Sequence, residues 1–237
     1  MSIVAVVPTY NEAENITLLV PQLLALPLEL EVLVVDDNSP DGTGALADQI
    51  ASTCPGRVTV LHRPGKLGLG TAYLAGFRRA LEGGASQVLT MDADFSHDPC
   101  FIPEMAERCA TADLVIGSRY VPRGGAVDSP LTRRLVSHGA NLAAHLVLGL
   151  KARDVTAGFR LYRREVLESV PLDSIRSSGY SFLIEMLFLV EQRCWRVAEV
   201  PIQFCDRKRG HSKISAQEIG KAMATVSRLA VRRVRGG

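Results

Sequence analysis

Two aspartates separated by one alanine, Asp92-Ala93-Asp94, give this chain a pair of carboxylates suited to holding a divalent metal ion. They follow the apolar residues 88–91, which predict a buried strand, so both side chains are expected at that strand's carboxyl end. Mg²⁺ prefers oxygen ligands and keeps several waters, so one or two carboxylates and the oxygens of a diphosphate suffice to bind it. Acidic pairs after strands are often just solvated turns, so the choice between the two interpretations depends on the neighbouring motifs.

Two further polar clusters also follow predicted strands. Residues 8–12 (PTYNE) come after the apolar run 3–7, and residues 36–39 (DDNS) come after the run 31–35. Ligands of parallel sheets bind beyond the carboxyl ends of the strands. One crevice is therefore expected to collect both clusters and the acidic triplet.

Strands and helices alternate through the first half of the chain, which predicts an α/β fold with a parallel sheet and right-handed crossovers. Apolar runs without alternation, such as 3–7, indicate strands that are buried on both faces. The predicted strands are 3–7, 31–35, 57–61, 88–91 and 113–116, and the predicted helices are 15–25, 43–51, 69–81 and one that starts at Asp98-Pro99.

The second half is less regular. It is predicted to contain a Gly-, Pro- and Arg-rich loop at 119–130, an amphipathic helix at 131–150, a strand at 159–162, an apolar helix at 182–191, a strand at 197–204 and a last helix that opens at 215–218. Pro201 interrupts the strand at 197–204 and predicts a position near a sheet edge. We expect a catalytic domain over residues 1–213 and a basic amphipathic helix over 214–237, which either belongs to the same domain or contacts a membrane.

Charge is unevenly distributed along the chain. Residues 1–118 hold 6 Lys and Arg against 15 Asp and Glu, whereas residues 119–237 hold 21 against 10. This asymmetry predicts that the second half meets an anionic partner, with dispersed surface charge as the alternative. A phosphorylated substrate or an anionic membrane surface fits better than nucleic acid, because aromatic residues are only 5% of the chain and it has no recognised nucleic-acid motif.

The cysteine pattern and the hydropathy bound the compartment. Five scattered cysteines without a C-x-x-C pair argue against a disulfide framework and a zinc site, and we expect mostly buried thiols in a reducing compartment. No signal peptide precedes the first strand, and no apolar run reaches the ~18 residues that span a bilayer. We expect a cytoplasmic protein that is peripheral on the cytoplasmic face of a membrane.

Taken in order, the motifs resemble those of glycosyltransferase family 2, and more narrowly of its polyprenol (dolichol) phosphate mannose synthase branch. The resemblance covers residues 3 to 213 and is specific for the family, though less so for the sugar. The matching segments are 8–12, 34–43 (VVDDNSPDGT), 65–73 (GKLGLGTAY), 91–97 (MDADFSH), 116–120 (IGSRY), 156–160 (TAGFR), 179–180, 199–202 (EVPI), 204–207 (FCDR) and 210–213 (GHSK).

The resemblance implies a GT-A type fold, in which a Rossmann-like, mostly parallel sheet is flanked by helices, with a C-terminal helical appendage. It also implies a GDP pocket, in which Tyr10 packs on the base, Glu12 accepts from ribose or base groups, and Asp37 bonds a base edge. Glu12 has an ordinary helix-start acid as its alternative, and Asp36 orients the loop. The pocket residues are Pro8, Tyr10, Glu12, Val35 and Asp37.

By the same resemblance, Asp94 is the first choice of ligand for Mg²⁺ or Mn²⁺. Asp92 is expected nearer the ribose and sugar as a second acid of the metal site, Ala93 lies against the donor, and Ser96 adds an oxygen. Cations from three loops are expected to bind the donor diphosphate and the acceptor phosphate: Arg119, Arg207 and Lys213, with Arg133 or Arg134 as further candidates. The expected catalytic set is Asp92, Asp94, Arg119 and Arg207.

The function implied is the inverting transfer of mannose from GDP-mannose to a polyprenyl phosphate. The nucleophile is an anionic phosphate oxygen, so little base is needed. The alternatives are UDP-glucose or another nucleotide sugar as donor, and a non-catalytic nucleotide-sugar-binding subunit. The expected partners are the lipid and either a membrane surface or a membrane-anchoring subunit. Lipid or bilayer contact is assigned to the helix at 131–150 and to the last helix, with its arginines Arg228, Arg232, Arg233 and Arg235, unless both helices simply pack on the core.

Overall fold

A central β-sheet carries the fold. The structure is a computed structural model that describes residues 2–127, 131–179, 181–205 and 216–234. Within these ranges the strands are β1 (Ile3–Thr9), β2 (Leu30–Asp36), β3 (Val58–His62), β4 (Gln87–Thr90), β5 (Leu114–Ser118), β6 (Gly125–Val127), β7 (Arg160–Arg163), β8 (Val197–Pro201) and β9 (Gln203–Cys205).

Seven of these strands form one mostly parallel sheet in the order β3-β2-β1-β4-β7-β5-β8. Strands β1 to β4 are parallel to one another, as are β5 and β8. Strand β7 lies between β4 and β5 and is antiparallel to both. The amino end of β7 therefore lies at the same sheet edge as the carboxyl ends of β4 and β5, which brings the segment before Arg160 to the ligand-binding side.

Helices cover both faces of the sheet. They are α1 (Ala13–Leu24), α2 (Thr43–Thr53), α3 (Leu69–Glu82), α4 (Ile102–Arg108), α5 (Leu131–Leu148), α6 (Arg164–Ser169), α7 (Ser181–Gln192) and α8 (Ala216–Val234). A 3₁₀ turn at Pro99–Phe101 precedes α4, and Asp98 caps it by accepting the Cys100 N–H at 2.8 Å. This confirms the start signal predicted at Asp98-Pro99.

The sheet separates two hydrophobic cores, and strand alternation supplies both of them. In β1, Val4 and Val6 enter the core that α3 and α7 cover, whereas Ala5 and Val7 enter the core that α1 covers. Both faces are buried, so apolar residues occupy every position of the strand. This explains the unbroken apolar run at 3–7.

The last helix packs against the rest of the fold. Val226 and Leu229 of α8 are 5% and 0% exposed and join the core beneath α7. Arg228 donates to both carboxylate oxygens of the buried Glu185, at 2.9 and 2.8 Å. Arg228 is thus held by an ion pair with Glu185, although 40% of its side chain is exposed, and its assignment to the membrane surface stays a prediction. Arg235 lies outside the described residues.

Two segments differ from the sequence-based prediction. The predicted loop at 119–130 contains β6, which pairs with β9 in a separate two-stranded sheet. The single strand predicted at 197–204 is divided at Ile202 into β8 and β9. Proline lacks an N–H to continue a sheet ladder, so Pro201 ends β8, and the edge position predicted for this strand is confirmed.

The expectation of mostly buried thiols is wrong. Cys109 is buried and Cys54 is half-buried, but Cys100, Cys194 and Cys205 are exposed. Cys194 lies at a positive φ of 59° in the turn after α7, and Cys205 points outward from β9 next to the buried Phe204. Turns and strand alternation therefore override the tendency of cysteine to be buried.

Candidate active site

A cleft opens at the carboxyl edge of the sheet, where β4, β5 and β8 end and β7 begins. The acidic loop after β4 forms one wall, the segment before β7 forms another, and α3 and α7 close it with Leu69 and Leu183. The lining residues are Leu69, Asp92, Ser96, His97, Gly117, Arg119, Thr156, Ala157, Gly158, Leu183, Ile202 and Phe204. The edge predicted to bind ligands is therefore concave here.

The acidic loop is folded tightly on itself. The Oδ1 atom of Asp94 accepts the backbone N–H of Ser96 at 3.0 Å, and Phe95 between them adopts a positive φ of 59°. Ser96 is 2% exposed, and its Oγ has no hydrogen-bond partner among the residues that the structure describes. A buried hydroxyl left in this way costs free energy unless a ligand satisfies it. The loop thus carries carboxylate and hydroxyl oxygens of the kind that a hard metal ion prefers.

These donors fit Mg²⁺ or Mn²⁺ that is shared with a diphosphate. In the described part of the chain, no group of three or more His, Cys, Asp or Glu side chains is arranged to hold a metal by protein ligands alone. Mg²⁺ characteristically takes one or two carboxylates and completes its shell with waters and substrate phosphates. Asp92, Asp94 and Ser96 match that pattern.

His97 supports the loop from inside. Its ring is 3% exposed and stacks on Phe159, with the ring centroids 5.0 Å apart. Burial lowers the pKa of His97, against the opposing negative charges of Asp92 and Asp94, so the ring is neutral at neutral pH. Its Nδ1 accepts the backbone N–H of Asp92 at 3.1 Å, which assigns the ring proton to Nε2.

Tyr73 holds the side chain of Asp92. The tyrosine is fully buried in α3, and its hydroxyl donates to Asp92 Oδ1 at 3.2 Å. Burial, and after it the charge of Asp92, raises the pKa of Tyr73 well above its ordinary value, so the hydroxyl keeps its proton. One oxygen of Asp92 is therefore fixed from behind the cleft.

Arg119 lies on the opposite wall and is gripped by Asp154. Its Nε and Nη2 donate to the two carboxylate oxygens of Asp154, at 2.8 and 2.7 Å, and Nη2 also donates to Thr156 Oγ1 at 2.8 Å. The Arg119 side chain is 14% exposed, and that of Asp154 is fully buried. The arginine reaches the cleft as predicted, but its fork is directed at a carboxylate of the protein.

The environment of Asp154 keeps it charged. Burial by itself raises the pKa of Asp154, but the hydrogen bonds and the charge of Arg119 outweigh burial and hold it below the ordinary value. Glu199 fixes the backbone, accepting the N–H of Arg153 at 2.8 Å and that of Asp154 at 3.0 Å. The pair is therefore a rigid part of the cleft wall.

A second group of polar residues lies at the ends of β1 and β2. Asp37 is 6% exposed, pairs with Arg63 at 3.0 Å and accepts the backbone N–H of Leu67 at 3.2 Å. Burial raises the pKa of Asp37, and the charge of Arg63 offsets this only in part. Because β1 alone separates β2 from β4, the ends of β2 and β4 lie about 10 Å apart, a separation that a nucleoside diphosphate can span.

The other predicted pocket residues surround this group. The ring of Tyr10 is half-buried beneath Lys66, whose Nζ lies 3.8 Å from the ring centroid. Glu12 occupies the N-cap position of α1 and accepts the side-chain amide of Asn15 at 2.6 Å. Pro8 is half-buried and pairs in register with Val35, whose side chain is fully buried in the core.

Asp36 organises the loop after β2, as predicted. It accepts the hydroxyls of Thr9 at 3.0 Å and Ser39 at 2.6 Å, and also the backbone N–H of Ser39 at 3.0 Å. These bonds join the β1 and β2 ends into one surface.

The predicted cations of the last motifs lie outside the described residues. Arg207 and Lys213 belong to residues 206–215, and Arg133 and Arg134 belong to the part of α5 whose side chains the structure does not describe. The last described residue before 206–215 contacts the acidic loop: the N–H of Cys205 donates to the carbonyl of Ser96 at 3.4 Å.

Sequence reasoning did not identify the contacts of four residues of the site. Asp154 carried no motif signal beyond its position two residues before the segment 156–160, and Arg63 lies outside the quoted segments. His97 and Tyr73 belong to the quoted motifs 91–97 and 65–73, but no role was assigned to either of them. The spacing of these residues in the sequence does not reveal any of their contacts.

Curated relatives match nearly the whole chain. An undecaprenyl-phosphate mannosyltransferase of Micrococcus luteus is 46% identical over 228 residues, covering 96% of this chain and 93% of the relative. A polyprenol monophosphomannose synthase of Mycolicibacterium smegmatis is also 46% identical over 228 residues, covering 96% of this chain and 86% of the relative.

Solved structures share the fold at low identity. Glucosyl-3-phosphoglycerate synthase of Mycobacterium tuberculosis, solved with Mn²⁺, UDP and glucosyl-3-phosphoglycerate, superposes with a TM-score of 0.70 at 22% identity, over 97% of this chain and 80% of that one. Mannosyl-3-phosphoglycerate synthase of Rubrobacter xylanophilus gives a TM-score of 0.71 at 20% identity, over 100% and 75% of the two chains. The seven-stranded sheet is thus that of the GT-A glycosyltransferases, as the resemblance implied.

One protein-family model matches most of the chain. It is the model of glycosyl transferase family 2, and it matches residues 4–170, which include the ends of β1, β2 and β4 and the Arg119–Asp154 pair. With two relatives at 46% identity over almost the full length, the chain belongs to glycosyl transferase family 2.

Proposed function

We propose that this protein transfers mannose from GDP-mannose to a polyprenyl phosphate, with inversion at the anomeric carbon. The observation that carries the proposal is that an oxygen-rich acidic loop and a second group of polar residues follow β4 and β2 at one sheet edge, where these two strands lie about 10 Å apart. The two relatives at 46% identity bear names for mannosyl transfer to polyprenyl phosphates, which supports the same substrates here.

The donor is assigned across the two groups. The guanosine occupies the β1 and β2 ends, with Tyr10 against the base, Glu12 and Pro8 beside it, and the buried carboxylate of Asp37 on the base edge. Val35 contributes through its backbone, because its side chain is buried in the core. The diphosphate then extends past Ala93 to the acidic loop.

Asp94, Asp92 and Ser96 are the residues that would hold Mg²⁺ or Mn²⁺. When bound, such an ion offsets the negative charge that builds on the departing diphosphate. The N–H of Cys205, two residues before Arg207 in the sequence, donates to the carbonyl of Ser96 in the acidic loop. This contact and the resemblance of the motifs 204–207 and 210–213 support the assignment of Arg207, with Lys213, to the phosphates.

Catalysis rests on positioning and charge, because the acceptor phosphate is already deprotonated at neutral pH. Its oxygen attacks the anomeric carbon as the bond to the diphosphate breaks, so an α-linked donor gives a β-linked lipid phosphate. Arg119, whose charge is paired with that of Asp154, forms a fixed part of the cleft wall. The neutral His97 supports the loop and takes no proton in this scheme.

One assay tests the donor and the acceptor together. The protein is incubated with Mg²⁺, a polyprenyl phosphate and either labelled GDP-mannose or labelled UDP-glucose, and the lipid is extracted. Label is expected in the lipid from GDP-mannose, and NMR of the product is expected to show a β linkage. Transfer from UDP-glucose alone would replace the donor, an α-linked product would exclude inversion, and no transfer from either donor would favour the non-catalytic alternative.

The acceptor's lipid tail requires an apolar surface, and α5 and α8 provide one. Leu142, Leu146 and Val147 of α5 are 58%, 76% and 43% exposed, and Met223 and Val231 of α8 are 53% and 51% exposed. No acidic residue occurs in α5. Exposed apolar side chains on a helix without negative charge are typical of interfacial helices. No helix among the described residues is long and apolar enough to cross a membrane.

Leu142→Asp is expected to weaken binding to phosphatidylglycerol-containing vesicles about tenfold or more, because burying a leucine contributes about 1.5–3 kcal/mol. Sedimentation with vesicles measures the effect. Leu18→Asp is the matched control, since Leu18 is 59% exposed on α1, close to the 58% of Leu142, and it is expected to leave vesicle binding unchanged. Equal effects of the two variants on vesicle binding would reject the proposal that α5 contacts the membrane surface.

A further inference from the structure

The tyrosine behind the acidic loop is a buried polar group that the proposed mechanism does not use. The ring of Tyr73 is fully buried and is flanked by Phe77 and Phe182, with ring centroids 6.3 and 6.1 Å away. A core position needs only the ring, because a phenylalanine fills the same space without burying a hydroxyl. The hydroxyl of Tyr73 donates a hydrogen bond to Asp92 Oδ1 at 3.2 Å.

We propose that Tyr73 is a positioning residue, whose hydroxyl fixes the carboxylate of Asp92 for the metal-bound donor. The inference rests on the proposed function for the identity of the donor. The inference gives a role in the site to a residue of α3. Only the first residue of this helix, Leu69, lines the cleft, and other residues of α3, among them Tyr73, pack in the core beneath the cleft.

The surroundings of Tyr73 make it a rigid anchor. Phe182 of α7 packs so closely on α3 that a Cβ on Gly70 would lie 3.0 Å from its ring and its Cβ. The two helices therefore hold the tyrosine ring in one place. His97 Nδ1 accepts the backbone N–H of Asp92 and so fixes the backbone, while the Tyr73 hydroxyl fixes the side chain of Asp92.

This double restraint has a consequence for binding. A loop aspartate in solution samples several rotamers, and choosing one of them on binding costs free energy. Fixing the carboxylate in the free protein moves that cost from ligand binding to folding. The hydroxyl of Tyr73 is thus expected to strengthen both the binding of the metal–nucleotide and the transfer step.

A double-mutant cycle with Tyr73→Phe and Asp92→Ala tests the inference. Tyr73→Phe is expected to lower the affinity for GDP in the presence of Mn²⁺, measured by calorimetry, and kcat/KM for transfer, each about tenfold, the effect of one hydrogen bond to a charged group. In the Asp92→Ala background it is expected to have no further effect, because alanine has no acceptor for the Tyr73 hydroxyl and coupled residues are non-additive. Tyr162→Phe is the control: Tyr162 is also fully buried, and its hydroxyl lies 3.5 Å from Arg160 Nη1.

Two results would overturn the inference: a Tyr73→Phe variant with unchanged affinity and kcat/KM, or losses that simply add to those of Asp92→Ala. A loss in Tyr162→Phe equal to that in Tyr73→Phe would also overturn it, because the effect would then be one of core packing. The binding arm keeps the two proposals separate. A wild-type protein that binds Mn²⁺ and GDP but transfers no mannose would reject the proposed function, while the cycle would still be read from affinity.

Discussion

Replacing Asp94 with alanine is expected to lower the rate of mannose transfer by about 10³-fold or more, the scale of losing one preorganised electrostatic contact to a transition state. Asp94 closes the acidic loop around the buried hydroxyl of Ser96, and both belong to the proposed metal site. Without its carboxylate the ion loses a charged ligand and the departing diphosphate loses its counter-charge. The measurement is label transfer from GDP-mannose under saturating Mg²⁺.

The side chain of Asp94 is half-buried in a loop, so the variant is expected to remain folded, with an unchanged circular dichroism spectrum. Asp48→Ala is the matched control: its side chain is 56% exposed and pairs with His62 on the surface. It removes the same charge away from the cleft and is expected to leave the rate unchanged. A folded Asp94→Ala protein with the wild-type rate would refute the metal assignment.

Replacing Asp154 with asparagine is expected to lower the free energy of unfolding by about 3–5 kcal/mol, because breaking a buried ion pair leaves the other charge uncompensated. Asp154 is fully buried, and two of its contacts to Arg119 are side-chain hydrogen bonds of 2.8 and 2.7 Å. Asparagine has the shape of aspartate but carries no charge. Its side-chain N–H₂ group replaces one of the two oxygens that accept hydrogen bonds from the Arg119 guanidinium. Urea unfolding at pH 7 measures the change.

The surface pair of Arg78 and Asp173 provides the comparison. It joins the same residue types, but the Asp173 side chain is 92% exposed. Exposed pairs contribute little to stability, so Asp173→Asn is expected to leave the unfolding midpoint unchanged. If both substitutions had the same small effect, the Arg119–Asp154 pair would have no special role in holding the cleft wall.

The parts of the fold that local pattern determines were predictable. The apolar runs of β1 and β2 and the cap at Asp98 each depend on neighbouring residues, and the structure confirms them. The acidic triplet was placed at a strand end for the same reason. The interruption of 197–204 at Pro201 was predictable, but the place of β9 in a second sheet was not, because it depends on the distant β6 as partner for β9.

The contacts inside the cleft depend on chain topology. Arg119 and Asp154 are 35 residues apart and meet because β7 pairs with β5, a pairing that no spacing in the sequence reveals. Tyr73 lies in the quoted motif 65–73, but its contact with Asp92 could not be recognised, because a tyrosine in an apolar helix stripe fits a core as well as a site. Whether Arg207 and Lys213 join this cleft stays a prediction.

The place of β7 in the sheet also determines when β4 can pair along both of its edges during synthesis. Strand β4 pairs with β1 on one side, but it acquires its second partner only when Arg160–Arg163 has been made, some seventy residues after β4 ends at Thr90. Until then its outer edge offers unsatisfied amides and carbonyls to any passing strand, a known route to aggregation. Fragments that stop before residue 160 are thus poor candidates for expression, and slow elongation between these strands would raise the demand for chaperones.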